Sequence, residues 1–308
     1  MVYEGRVIME RIERELLLAD GRDVLPFLAQ TYQQLYLIPG EEGAALYREV
    51  VLKGQDAPVK DLSHFRMNTR DRLEVVQTPA GPVMVVTLYE RADFELFIQI
   101  MTNRCQPCEV PKTQGASTLD GLPNWTKIHE HEKKWRAERT AAGELFPDWA
   151  KEFQRFISDK RNYLDALIVL SAGPYSHIPA AALHMDEQEW LDRSYTIRKF
   201  HECTHFFCRR RFPEQINAVW DEVVADAVGI IAAFGRFDPA MEELFLGISG
   251  NHYTGGRLEN YIEKEEELDL MAEKIHRVIL KIAGLYEEEA GAPFDFAISL
   301  EEKQQDLW

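Results

Sequence analysis

The sequence predicts an α+β protein, mostly helical, with a mixed N-terminal unit ahead of a C-terminal half built from long helices and a small sheet. Three observations carry this. Long stretches repeat their apolar residues at helical spacing, the period changes around Pro79-Ala80-Gly81-Pro82, and one nearly uninterrupted apolar run, "LDALIVLSAG" (164–173), has the length of a buried strand. With 308 residues, 45% of them hydrophobic, the chain has room for about two domains with a substantial core.

The first sixty residues read as helices, among them "VIMERIERELLLA" (7–19) and "VLPFLAQTYQQLYLI" (24–38), the latter stopped by Pro39-Gly40. "LEVVQTPAGPVMVVTLY" (73–89) then reads as a hairpin, and a helix over about 92–101 is expected to pack on it. Residues 103–124, rich in Pro, Gly, Ser and Thr, show no period and are read as a long loop or boundary, which divides the chain into 1–110 and 111–308. Helices are predicted over about 125–141, 147–158, 186–211, 218–234 and 257–287, and a strand at 164–173. The "EKEEE" run is read as the wet face of the last helix.

A formal charge of −17 repels phosphate backbones and anionic membrane surfaces, so nucleic acid and membrane are poor partner classes. No apolar run is long enough to cross a bilayer, and the first residues lack the pattern of a secretory signal. The four cysteines fall in two close pairs, Cys105/Cys108 and Cys203/Cys208, too sparse for a disulfide scaffold. Reduced thiols in a cytoplasm are expected. "CQPC" is read as an ordinary strand-to-loop pair, because no second Cys-x-x-Cys completes a four-thiolate site. In "HEHEKK", His129 and His131 point to different sides of a helix, which favours a solvated face over a metal site.

"FHECTHFFCRRRF" (200–212) carries a different spacing. In a helix, residues four apart are separated by about 6 Å of rise and some 40° of rotation, so His201 and His205 can address one cation. Glu202 lies roughly 100° from His201, suited to accept a proton from water. A catalytic zinc usually has three protein ligands. Downstream, Glu222 and Asp226 share one face of a second helix whose other side, Trp220, Val223, Val224, Ala227 and Ile231, is apolar. Gly229 continues the acidic stripe, where a missing side chain lets the helix approach its partner. Glu222 is the first choice for third ligand, with Asp221 and Asp226 open as alternatives; Asp226 also suits the second ring nitrogen of a histidine ligand.

His-Glu-x-x-His followed, after 206–221, by Glu-x-x-x-Asp resembles the two-helix signature of the gluzincin metallopeptidases, the thermolysin-like group. The resemblance covers the two motifs and implies a zincin-like C-terminal half with zinc (Zn2+) on His201, His205 and Glu222, Glu202 as general base and Asp226 behind a histidine. Wider stretches, "GASTLDGLPNW", "LIVLSAGPYS" and "CRRRFPEQINAVWDEVVADAVG", resemble an uncharacterised bacterial family. Candidates to steady a developing oxyanion are Tyr175 and His177, or His252, Tyr253 and Arg257. In zincin-like folds a sheet edge upstream of the metal helix aligns the substrate, a place that "LIVLSAG" resembles. The expected function is zinc-dependent hydrolysis, with a peptide or protein substrate and metal-activated water attacking an amide carbonyl. Its rivals are a non-catalytic interaction module stabilised by the metal, whose site would be closed where an enzyme's is open, and a metal-free hydrogen-bonded cluster.

Overall fold

A computed structural model of the chain describes residues 20–215 and 217–308, so the helix expected over 7–19 lies outside the described residues. The architecture is α+β, 58% helical, with a small mixed sheet and a separate two-stranded one. The described chain forms two units that divide after Ser171; Val75–Val83 and Lys112–Ala116 group with the second. Residues 117–171 thus belong with the first unit, where the sequence boundary at 110/111 had put them with the second.

In the first unit, α1 (Val24–Thr31) ends where Tyr32 leaves helical geometry at φ −106°, ψ 75°, and a 3-10 turn (Gln33–Tyr36) follows. The helical period of 24–38 runs on, but Tyr32 is buried and its hydroxyl donates to Asp165 Oδ2 at 2.8 Å, a tertiary contact that breaks the predicted helix in two. α2 (Glu41–Tyr47) comes next, then the hairpin strands β1 (Arg72–Thr78) and β2 (Gly81–Leu88). Thr78 Oγ1 donates to Gly81 O at 2.6 Å across the turn, and Gly81 takes φ +105°. α3 (Arg91–Met101) buries Phe94, Phe97 and Ile100 in the same core as Val86, Leu88, Leu167 and Val169.

The segment 116–123, expected to be loop, is strand β3 (Ala116–Pro123). It lies at an edge of the sheet, order β1-β2-β4-β3, where few side chains need an apolar environment, so its Gly, Ser, Thr and Asp residues hide the strand period. α4 (Trp125–Ala141) and α5 (Trp149–Ile157) start at Asn124 and Asp148, whose side chains accept from Lys127 N and Lys151 N. β4 (Leu164–Ser171) pairs in parallel with β2, Met84 opposite Leu167 through Leu88 opposite Ser171. With β2 on one side and β3 on the other, β4 is interior and offers no free edge to a substrate, which corrects the sequence reading. His129 is exposed, as a solvated face requires, while His131 is half-buried, meets Glu152 Oε1 at 2.7 Å and stacks on Phe156 at 4.0 Å.

In the second unit, α6 (Glu187–Arg211) begins at Asp186, which accepts from Gln188 N and Glu189 N, and its C-terminal arginines suit the helix dipole. α7 (Ala218–Phe234) starts at Asn217 and closes at Gly235 (φ +71°), a left-handed cap. Trp220, Val223, Val224 and Ala227 are fully buried, as the apolar pattern predicts. A Cβ on Gly229 would stand 2.8 Å from Ile197 O and 2.9 Å from its Cγ2, so the bare backbone there is what lets α7 lie against α6. α8 (Pro239–Leu246), the short antiparallel strands β5 (Ile248–Ser249) and β6 (His252–Tyr253), and α9 (Leu268–Glu289) follow. α10 (Pro293–Glu302) and α11 (Gln304–Leu307) end the chain. The last long helix starts at Leu268 and not near 257; two 3-10 turns, Arg257–Asn260 and Glu265–Glu267, take up the interval, and the acidic run is exposed but precedes the helix. Among the described residues no helix is long and apolar enough to cross a membrane.

Candidate metal centre

Successive turns of α6 carry His201 and His205 to one face, and their Nε2 atoms stand 3.0 Å apart. α7 brings Glu222 against both: Oε1 lies 3.2 Å from His205 Nε2 and Oε2 3.6 Å from His201 Nε2. The three donor atoms fall within 4.8 Å of one another. Of the acids left open for the third position, Glu222 joins this group. Asp226, one turn on, meets the outer nitrogen of His201, with Oδ1 2.8 Å from Nδ1. His201, His205, Glu222 and Asp226 are 5%, 5%, 9% and 0% exposed, so the helix pair itself shields the cluster from water.

The donor set suits a divalent ion. Two imidazole nitrogens on a tetrahedral zinc at about 2.0–2.1 Å stand about 3.3 Å apart, near the observed separation, and a carboxylate completes the usual set of three. A proton on His201 Nδ1, donated to Asp226, leaves the Nε2 lone pair turned toward the cluster. Facing lone pairs repel unless something positive lies between them.

Burial lowers the pKa of His205, but the hydrogen bond and negative charge of Glu222, with the charge of Glu202, outweigh it and raise the value. Glu222 answers in the opposite direction: burial raises its pKa, and His205, His201 and Arg257 together carry it well below the carboxylate range. His205 and Glu222 thus favour each other's charged form. Glu202 itself is half-buried, one position along α6.

Tyr175 does not stand where an oxyanion would form. It is buried behind His201, where its hydroxyl donates to Asp226 Oδ1 at 2.5 Å and lies 2.8 Å from His201 Nδ1. Arg257, another oxyanion candidate, donates from Nη1 to that same hydroxyl at 2.8 Å and pairs through Nη2 with Asp226 Oδ2. His177 is exposed at φ +58°. The β5–β6 hairpin turns the other candidates outward: His252 is exposed, 3.9 Å from Asp269, and Tyr253 Oη donates to Glu259 Oε2 at 2.7 Å.

Two residues escaped the sequence reading. Tyr261 lies beside Glu222, and burial first, then the Glu222 charge, raises its hydroxyl pKa. Glu242 on α8 is fully buried, with Asp226 and Arg257 as charged neighbours. The spacing Arg257-x-x-x-Tyr261 was visible, but nothing in the sequence signals Glu242, one acid among many. Cys105 is free and buried, and burial pushes its thiol up to about 11, which removes it as a nucleophile at neutral pH. Cys208 is likewise free and buried.

The fold and the site define an α+β protein whose paired helices gather two imidazoles and one carboxylate around a single point. The chain belongs to the family of unknown function DUF7005, whose model matches residues 11–294. No curated protein and no solved structure matches it. The likeness to gluzincins rests on the two helix motifs alone.

Proposed function

We propose that the protein is a metal-dependent hydrolase, a zinc metallopeptidase of gluzincin-like design acting on a peptide or protein amide. One observation carries this reading: His201 Nε2, His205 Nε2 and a Glu222 oxygen converge, while Asp226 occupies the remaining nitrogen of His201. His201, His205 and Glu222 would hold the ion, which supplies Lewis acidity and lowers the pKa of water. Glu202 follows His201 on the same helix, and its carboxylate accepts the proton of the attacking water and later passes it to the leaving amine. Asp226 keeps His201 in the tautomer that presents Nε2. Four cysteines in two close pairs, too sparse for a disulfide scaffold, accord with a reducing, cytoplasmic setting.

The burial of the cluster, 5%, 5% and 9% for the three donors, favours a second reading, a non-catalytic centre in which the ion fastens the two helices for binding to a partner. Metal analysis of purified protein, with His201→Ala and Glu202→Gln variants and a peptide-library hydrolysis assay, separates the two. The enzyme requires about one zinc per chain, loss of metal in His201→Ala, and retained metal with loss of hydrolysis by about 100-fold or more in Glu202→Gln. Metal without hydrolysis in the wild type leaves the second reading, and no stoichiometric metal removes both.

A further inference from the structure

We propose that Arg257 is a positioning residue for the metal centre, a planar fork that fixes His201 through Tyr175 and Asp226 together. This rests on the metal-centre reading above. Three contacts of one guanidinium carry it. Nη1 donates to Tyr175 Oη at 2.8 Å, Nη2 pairs with Asp226 Oδ2, and Nη2 also lies 3.8 Å from Glu222 Oε2.

Tyr175 Oη and Asp226 Oδ1 are the two groups at His201 Nδ1, each 2.8 Å away, so Arg257 holds both partners of that nitrogen. Its donation to the Tyr175 oxygen turns the hydroxyl proton toward Asp226 at 2.5 Å. Asp226, fully buried, thus has the Tyr175 hydroxyl, His201 Nδ1 and the guanidinium at its two oxygens, the partners that the polar atoms of a buried carboxyl group need. Two acceptors in different directions require a forked donor, which an ammonium does not supply.

The chain around Arg257 is built to hold it. Gly247 closes α8 at φ +76°, and a Cβ on Gly256, the residue before Arg257, would stand 2.7 Å from Gly247 Cα. Leu258, the residue after, is fully buried. The turn Arg257–Asn260 is thus seated against the end of α8, and the guanidinium enters from a fixed backbone.

The test is titration of metal-free protein with Zn2+ in competition with a chromophoric chelator, for wild type, Arg257→Met, Arg257→Lys, Tyr175→Phe and the Arg257→Met/Tyr175→Phe double variant. Thermal melts confirm folding, and the Co2+ absorption spectrum reports donor geometry. The expected result is a loss of zinc affinity of about 10- to 100-fold in Arg257→Met, little recovery in Arg257→Lys, an altered cobalt spectrum, and a double variant weaker than wild type by less than the product of the single losses. Should Arg257→Met fail to fold, Tyr175→Phe, which keeps the ring, carries the test with the same tenfold threshold. A loss below tenfold with a lower melting temperature would reduce Arg257 to a structural role and overturn the proposal, as would single losses that multiply. Wild type that binds no zinc, with His201→Ala indistinguishable from it, defeats the metal centre and the clamp together.

Discussion

Glu242 is fully buried, and neither of its carboxyl oxygens has a hydrogen-bond partner. Burial first, and the Asp226 charge second, hold its pKa well above the carboxylate range against the opposing charge of Arg257. A polar group with its hydrogen bonds unmade costs about 1–3 kcal/mol relative to one that is satisfied or absent. Glu242→Met keeps the length of the side chain and removes the orphaned oxygens. Urea denaturation at pH 7 should show stability raised by about 1–3 kcal/mol. A fall in stability would mean that the carboxyl makes a contact that holds the fold. Legibility at this scale depended on pattern. His201, His205, Glu222 and Asp226 were readable because helical spacing alone places them on two faces. Arg257 was read only as an oxyanion candidate, and Tyr261 and Glu242 were not singled out, since their relation to the cluster is created by the packing of α8 and of the chain between α8 and α9.

Between elements, the contact of α6 with α7 decides whether the imidazoles and Glu222 meet at all. Gly229 lies in that contact, where an added Cβ would lie 2.8 Å from a backbone oxygen that cannot swing aside. Gly229→Ala gains a helix former yet must push the helices apart. We expect a net loss of about 1–3 kcal/mol by chemical denaturation. A gain, as helix propensity alone would give, would show the approach to be softer than the backbone geometry implies. The ends of α4 and α7 were legible because Asn124 and Asn217 accept hydrogen bonds from the first-turn amides, a local effect that sequence carries. β3 was not, because an edge strand of small polar residues looks like loop until a neighbour is there to pair with it. The start of α9 was misplaced for a related reason: the apolar stripe includes Leu258, which is buried from a 3-10 turn and not from the helix.

Across the whole molecule, the pH dependence of stability has an identifiable source in Glu301 on α10. The residue is 1% exposed, and burial, with the charge of Asp221 adding to it, raises its pKa from 4.5 to about 7 against the opposing contacts of Trp220 and Cys208. The native state holds this proton between those values while the unfolded chain has released it. Stability from this group is therefore complete below pH 4.5 and falls as pH rises through 7, by up to about 3 kcal/mol. Melting curves from pH 4.5 to 8 on metal-free protein should show that decline, and Glu301→Gln should flatten it; an unchanged slope in the variant would place the titration elsewhere.

The sequence by itself determined the α+β class, the limits of α4, α6 and α7 and the pairing of each metal-facing side chain with its helix face, because these follow from periodicity and capping within a few residues. Only the tertiary structure decided which acid joins the histidines, that Tyr175 and Arg257 stand behind His201, that β4 is interior, and that Glu242 and Glu301 are buried with raised pKa values. Those outcomes depend on which surfaces exclude water and which charges end up side by side, and such distances are set by packing between segments far apart in the chain.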